Sequence, residues 1–339
     1  MSHPDTAEQE LKAAFSLFFD TLPVRWEIKN TSHGESDFRE AVIAECNDGS
    51  RAVLKLADND FTSPEKIRIW KRSAEEYRRL GYYTTAIIEA KTGGFPMVSY
   101  KGHNCVAYAE EYSKYQSAED KSIPFDSYKD DIAVMTARIA AERFDFSEYP
   151  SGYCLFERFC ESDLDDEVME NGLEWKKYAD TLPQELQPQI QRIWRRWLEN
   201  RAELETLYQK LPTSVFQADL NPSNILVDES GRFVGVFDFN LCGRDELLNY
   251  LFREFDYGND TEGKLILGAV SAASSVYRFN DDEMTAMPLI YRCIRPLWST
   301  EVDKLKEAGE DIAAIKVCLD MAEYHQTRTI DFKSCCQRA

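Results

Sequence analysis

Histidine is scarce in this 339-residue chain: four occur, and none clusters with the nine cysteines in a ligand-like pattern. The cysteines are scattered without a CxxC pair, which excludes the common structural-zinc frameworks and a regular disulfide scaffold. Cys105, Cys154, Cys293 and Cys318 stand in apolar contexts, so reduced, buried thiols of a cytoplasmic protein are expected, with Cys335 and Cys336 an incidental exposed pair. No run approaches the ~18–20 uninterrupted apolar residues of a membrane-spanning helix. The opening MSHPDTAEQELKAAFSLFFDTLP has an apolar patch but no basic leader, and its early acids argue against a signal peptide. Basic residues are outnumbered by acidic ones, 40 to 60. At a net charge of −20 the chain is a poor partner for nucleic acid or an anionic membrane. Solubility alone accounts for such a charge, and attraction of a cationic substrate is the sharper alternative. A glycine-rich phosphate loop is missing as well: the segment SHGESDF, residues 32–38, holds one glycine, Gly34, and reads as a plain turn or a weak phosphate-covering loop.

What is present suffices for a folded protein of about two domains or lobes, with 43% hydrophobic and 29% charged residues. Residues 7–20 carry Leu11, Ala14, Phe15, Phe18 and Phe19 at helical spacing. Extended runs follow at 38–46 and 51–57, joined by the turn Asn47-Asp48-Gly49-Ser50. Lys55 interrupts the second run, as an edge-strand charge or as a phosphate ligand. Residues 64–80 open on a proline and place Ile67, Trp70, Ala74, Tyr77 and Leu80 on one helical face. A strand at 104–112 follows the turn Gly93-Gly94-Phe95-Pro96. Beyond it the pattern is helical, at 127–143, 186–210, 262–278 and 282–325, and Trp194 and Trp197 read as core. Acidic groups at 163–167 and 280–283 sit at helix starts, where they favour the positive end of the dipole; a cation-binding rim is the alternative reading.

The most informative stretch is FQADLNPSNILVDESGRFVGVFDFN, residues 216–240. Its two apolar runs, 225–227 and 233–237, flank the turn Asp228-Glu229-Ser230-Gly231 and predict an antiparallel hairpin. The residue entering the first strand and the residue leaving the second lie side by side, so Asn224 meets Asp238. Asp219 lies on the loop feeding the hairpin, stiffened by Pro222. Carboxylate and amide oxygens suit Mg²⁺, which takes one or two protein oxygens and completes its shell with water and phosphates. A further carboxylate beside them can accept a proton from an attacking hydroxyl.

Asp219-Leu220-Asn221-Pro222-Ser223-Asn224, followed by Asp238-Phe239-Asn240, resembles the catalytic loop and metal-binding segment of the aminoglycoside phosphotransferase and choline kinase superfamily, whose pattern is roughly His-Gly-Asp-x-x-x-x-Asn, a hairpin, then Asp-Phe-Gly. The resemblance is dense over 216–249 and thin over the rest of the chain to about residue 255. It implies a protein-kinase-like, two-lobed α+β fold, with a small β-rich lobe over 1–110 (carrying an extra N-terminal helix) and a larger, mainly helical lobe over 111–339. It implies that Asp219 is the catalytic aspartate, that Asn224 and Asp238 hold Mg²⁺, and that Lys55 anchors the phosphates of ATP or GTP. It also implies a helix glutamate paired with that lysine, Glu76 or its neighbour Glu75, and a hinge at Glu110, Glu111 and Tyr112 that meets the adenine. The alternative for both glutamates is pairing with the arginines around them. Gln217 stands where the family has His, Asn240 where it often has Gly, and Asn249 where a second acid follows Asp245. The reaction so implied moves the γ-phosphate to a hydroxyl of a small molecule, with an aminated alcohol or amino sugar favoured by the acidity. Alternative readings are a nucleotide-binding pseudokinase, a protein kinase and a non-enzymatic scaffold.

Overall fold

A computed structural model describes residues 4–34, 36–255 and 263–336. In chain order the elements are α1 (Pro4–Ser16), β1 (Arg25–Asn30), β2 (Phe38–Glu45), β3 (Arg51–Asp58), α2 (Pro64–Arg79), β4 (Ile87–Ile88), β5 (Met97–Tyr100), β6 (His103–Glu111), β7 (Gln116–Ser117), α3 (Lys129–Glu142), α4 (Glu167–Ala179), α5 (Gln187–Tyr208), β8 (Thr213–Phe216), β9 (Ile225–Val227), β10 (Phe233–Val236), β11 (Gly243–Glu246), α6 (Leu247–Glu254), α7 (Lys264–Ser274), α8 (Asp281–Ile294), α9 (Ser299–Glu307), α10 (Ile312–Thr327) and α11 (Lys333–Cys336). The mixed α+β class agrees with the expectation: antiparallel sheet dominates the first part of the chain and helices the second. The helix predicted over 262–278 begins at Lys264, and residue 262 lies outside the described residues. Among the described residues no helix is long and apolar enough to cross a membrane.

The chain forms two compact units, and they are not divided by one cut after residue 110. The first takes the chain up to Pro124, then 160–162 and 217–243; the second takes the remainder. The reason is strand pairing. The β9–β10 hairpin adds β7 as a third strand, through Gln116↔Val227 and Ser117↔Leu226. Tyr83 bridges the hairpin's other edge, where its N–H donates to Val234 O at 2.8 Å and its carbonyl accepts from Val236 N at 3.0 Å. The predicted catalytic hairpin therefore belongs to the sheet-rich unit.

The main sheet of that unit runs β1-β2-β3-β6-β4, with β5 also on β6. Period-2 alternation sorts its side chains between two faces. Ala52, Leu54 and Leu56 of β3 point into a core with Val42, Ala107 and Ala109, closed by Leu11, Phe15 and Phe18 from and just after α1. Lys55 is left on the opposite face. The hairpin's approach to Tyr83 depends on a glycine: a Cβ on Gly235 would lie 1.9 Å from the Tyr83 carbonyl oxygen and 2.6 Å from its nitrogen. Both atoms are backbone and cannot rotate away, which is the usual reason for glycine inside a strand. Gly235→Ala is expected to destabilise the protein by about 2 kcal/mol or more, read as a lower urea midpoint; an unchanged midpoint would contradict this packing.

The helical unit is built on α5, whose buried Ile190, Ile193, Trp197 and Leu204 form a continuous stripe. Trp197 is fully buried and donates through Nε1 to Cys293 O at 2.8 Å, so this tryptophan is core, as its spacing predicts. Acids at two helix starts act as caps. Asp166 accepts from Met169 N at the start of α4, and Asn280 and Glu283 form a reciprocal capping box on α8. Asp245 is buried and accepts from Ser151 Oγ (2.7 Å), Tyr208 Oη (2.8 Å) and Asn249 Nδ2 (2.9 Å), so it braces the interior of this unit. Asn249, in place of an acid, supplies the donor that Asp245 needs there.

Candidate active site

The site lies within the sheet-rich unit and begins with the hairpin. Val227 pairs with Phe233 and Ile225 with Val236, with a register shift between Phe233 and Gly235. At the mouth, Phe237 N donates to Asn224 O at 3.2 Å, so the hairpin brings residues 224 and 238 together as expected. Asp238 adopts a left-handed backbone, φ 58°, a conformation that Asp and Asn tolerate better than most residues. Asn240, at the family's glycine position, is not among the residues with positive φ.

The loop before the hairpin is under strain. Ala218 has φ 74°, and Asp219 N donates back to Gln217 O at 3.0 Å, which makes a γ-turn of the rare, strained hand. Two side-chain amides set Asp219, the residue after the turn. Asn221 Nδ2 donates to Asp219 Oδ1 at 2.5 Å, and Asn224 Nδ2 donates to Asp219 O at 3.2 Å. Gln217 is fully buried, and its Nε2 donates to both Phe237 O and Asp238 O at 2.9 Å. Gln217 thus ties the loop before the hairpin to residues 237 and 238, a positioning role that needs an amide donor and no imidazole.

Lys55 completes the constellation. Its Nζ lies 2.9 Å from Asp238 Oδ1 and 3.1 Å from Glu110 Oε1. Burial by itself would drive the lysine's pKa down, but the carboxylates of Asp238 and Glu110 overcome it and hold the ammonium well above its ordinary range. Burial pushes the Glu110 carboxyl up, even with Lys55 in contact. Lys55, Asp219, Asn224, Asp238 and Asn240 line one cleft of ≈ 250 Å³ together with Thr31, His33, Arg39, Thr62 and Tyr108. The loop over 32–38 contributes His33 to it. Glu35 of this loop lies outside the described residues. The loop is fastened by Asp37, which accepts from Arg39 Nη2 (2.7 Å), Asn59 Nδ2 (2.9 Å) and His33 N (3.0 Å). Burial opposes the charge on Asp37, but the Arg39 and Asn59 hydrogen bonds outweigh it and hold the carboxyl below its usual range.

The lysine's expected partner is a correction. Glu76 pairs with Arg79 at 2.6 Å, as the arginine alternative has it, and Glu75 pairs with Lys71 at 2.9 Å instead of an arginine. Helical phase explains it. α2 turns Ile67, Trp70, Ser73, Ala74 and Tyr77 inward, and the glutamates fall off that face. The helix supports the site through Tyr77 instead. Its Oη accepts from Gln217 N at 3.0 Å and its ring meets Phe239 edge-on at 5.3 Å, while Ser73 Oγ accepts from the Cys242 thiol. The proposed hinge divides likewise. The Glu110 side chain goes to Lys55 at 3.1 Å. Glu111 N–H donates to Ala86 O, and the half-exposed Tyr112 lies under the Arg51 guanidinium at 3.7 Å. Neither Glu111 nor Tyr112 lines the cleft. Gln217 was flagged by the family motif, but Tyr77 as a positioning residue carried no motif signal, because it acts on a backbone N–H 140 positions away.

Among the described residues no three His, Cys, Asp or Glu side chains cluster to hold a metal. Asn224 and Asp238 both line the cleft, and each brings a side-chain oxygen to it. Asn224 spends its amide nitrogen on Asp219 O, which leaves its amide oxygen as the donor to a cation. One amide oxygen and one carboxylate fit a hard cation that keeps water and phosphate oxygens in its shell.

Residues 147–250 match the family model described as "Phosphotransferase enzyme family", a segment that includes the 219–224 loop and the hairpin. Among solved structures, the microcompartment-associated aminopropanol kinase is similar with a TM-score of 0.59 at 13% identity, covering 94% of this chain and 95% of that one. An aminoglycoside phosphotransferase from Alicyclobacillus acidocaldarius has a TM-score of 0.54 at 13% identity, covering 100% and 96%. Amicoumacin kinase in complex with AMP-PNP, Ca²⁺ and Ami has a TM-score of 0.54 at 13% identity, covering 98% and 99%. No curated protein sequence matches the chain significantly. The resemblance read from residues 216–249 and the kinase-like fold expected from it are borne out.

Proposed function

With the phosphotransferase enzyme family matched over residues 147–250, we propose that the chain is a small-molecule kinase that transfers the γ-phosphoryl group of ATP to a hydroxyl group. The observation that carries this reading is the convergence of Lys55, Asp219, Asn224 and Asp238 on one cleft. Lys55 would hold nucleotide phosphates as a buried, permanently charged ammonium. Asp219, set by the Asn221 amide, would orient the acceptor hydroxyl and take its proton as the new O–P bond forms and the bond to the leaving diphosphate breaks. Asn224 and Asp238 would hold Mg²⁺, which supplies charge neutralisation on the phosphates. Gln217 and Tyr77 keep the loop and the 237–239 segment in register, so the gain comes from positioning and preorganised charge. The acceptor class we favour is an aminated alcohol. The net charge of −20 supports it, as does the fold shared with an aminopropanol kinase. Nine free cysteines, five of them buried, agree with a reducing, cytoplasmic setting.

The test is thermal unfolding with ATP or GTP, with and without Mg²⁺, on wild type and Asp238→Ala. A ligand at a hundredfold excess over its Kd stabilises the native state by about 2.7 kcal/mol, a rise of several degrees in Tm. A Mg²⁺-dependent rise in wild type that Asp238→Ala loses is the expected result. No rise in wild type under any condition would overturn the kinase reading. A rise without turnover on any aminated alcohol, amino sugar or sugar would favour a nucleotide-binding regulatory module.

A further inference from the structure

The cleft lysine is held by a strand, whereas the resemblance assigns its partner to a helix. We propose that Glu110 is the positioning residue for Lys55, a duty transferred in this chain from helix α2 to strand β6. The geometry is set by the ladder itself. Lys55 of β3 lies directly opposite Tyr108 of β6, and Glu110 is two residues further along the same strand. Residues two apart share a face, so the Glu110 side chain stands diagonal to that of Lys55 on the cleft side of the sheet. Glu110 is 4% exposed and is held between neighbours: one carboxylate oxygen meets Lys55 Nζ at 3.1 Å, and the other accepts from Thr85 Oγ1 at 3.4 Å. On α2, Glu75 and Glu76 are engaged with Lys71 and Arg79.

The consequence is a division of labour. In the structure Lys55 is shared between Glu110 and Asp238. When phosphates draw on the ammonium and Asp238 turns to a cation, Glu110 keeps the Nζ in place without any adjustment of α2. The helix then supports residues 217–242, through Tyr77 and Ser73. A strand partner is more rigid than a helix partner, since β3 and β6 are joined by backbone hydrogen bonds on both sides of the pair.

This inference rests on the nucleotide-binding reading above, and the experiment separates the two. The full chain is titrated calorimetrically with Mg-ATP, Mg-ADP and adenosine, as wild type, Glu110→Gln, Glu110→Asp and Glu76→Gln. Losing a buried charge-assisted hydrogen bond to the lysine corresponds to about 10- to 100-fold in affinity. Glu110→Gln is therefore expected to weaken Mg-ATP and Mg-ADP by about that factor and leave adenosine, which has no phosphate, unchanged. Glu110→Asp is expected to fall between it and wild type, and Glu76→Gln to bind like wild type. Wild-type affinity for Mg-ATP in Glu110→Gln overturns the assignment, as does a parallel loss of adenosine, which would mark a purely structural role. An equal loss in Glu76→Gln restores the helix partner. If Glu110→Gln does not fold, Glu110→Asp decides: wild-type affinity there overturns the proposal. A wild type that binds neither nucleotide overturns the function reading itself, and this inference with it.

Discussion

Asp219→Asn should remove phosphoryl transfer while sparing the nucleotide site. The substitution keeps size and an oxygen for the Asn221 amide, so the 2.5 Å contact that sets the side chain survives. It removes the group that can take a proton, and general-base loss typically costs about 100- to 10,000-fold in rate. The strained turn beneath it gives the residue little freedom to compensate, since Ala218 at φ 74° and the Asp219 N to Gln217 O bond hold the backbone. The measurement is single-turnover transfer from Mg-ATP to whichever aminated alcohol supports wild-type turnover, alongside the Mg-ATP thermal shift. A fall of at least about a hundredfold in rate with an unchanged shift is expected. Full turnover in the variant would remove Asp219 from the base role and leave the cleft a binding site with its catalyst elsewhere.

The largest stability effect should come from the helical unit. Asp166 is 2% exposed and has four donors: Met169 N at 2.8 Å, Phe156 N at 3.0 Å, and Arg201 Nη1 and Nη2 at 3.2 and 2.6 Å. It caps α4, ties down the 156 loop and neutralises a guanidinium sandwiched near the rings of Phe156 (4.6 Å) and Trp197 (5.3 Å). Asp166→Ala leaves Arg201 charged, buried and without its carboxylate. Breaking one side of such a pair costs about 3–5 kcal/mol, to which the lost cap adds about 1 kcal/mol. Urea unfolding followed by tryptophan fluorescence should show most of the folded baseline lost at moderate denaturant. Asp166→Asn keeps the cap and should fall between. The double variant Asp166→Leu/Arg201→Met should recover much of the loss, because replacing both charges by apolar groups avoids burying one alone. A loss under about 1 kcal/mol in Asp166→Ala would show that the pair is solvated in solution.

Several elements of this molecule were legible from local chemistry. The hairpin at 225–236 followed from two apolar runs and an Asp-Glu-Ser-Gly turn, and its closure brought Asn224 and Asp238 together with no other information. Helices over 64–80, 127–143 and 186–210 followed from 3.6-residue periodicity, and the structure returns them as α2, α3 and α5 with ends shifted by two residues or fewer. The acids at 163–167 and 280–283 were legible as caps, because a cap is a contact between residues three apart.

What local pattern did not decide was which distant partner each polar group would choose. The sequence offered Lys55 two glutamates, at 75 and 76, whereas the structure pairs it with Glu110. The choice was made by the phase of α2 about its axis and by the register of β3 against β6, both properties of packing between elements. The same holds for Tyr77, whose hydroxyl meets Gln217 N across 140 positions, and for Gln217, whose amide replaces a histidine by reaching two carbonyls about twenty residues away. The membership of the hairpin in the sheet-rich unit is a third case, since it depends on β7 and on the Gly235–Tyr83 approach. Local pattern was enough for the hairpin and the long helices and for naming the candidate polar groups, because propensity, periodicity and turn geometry act over a few residues. The tertiary structure decided which of those groups share a cleft and which are spent elsewhere, because that depends on contacts formed only when the sheet and its helices pack.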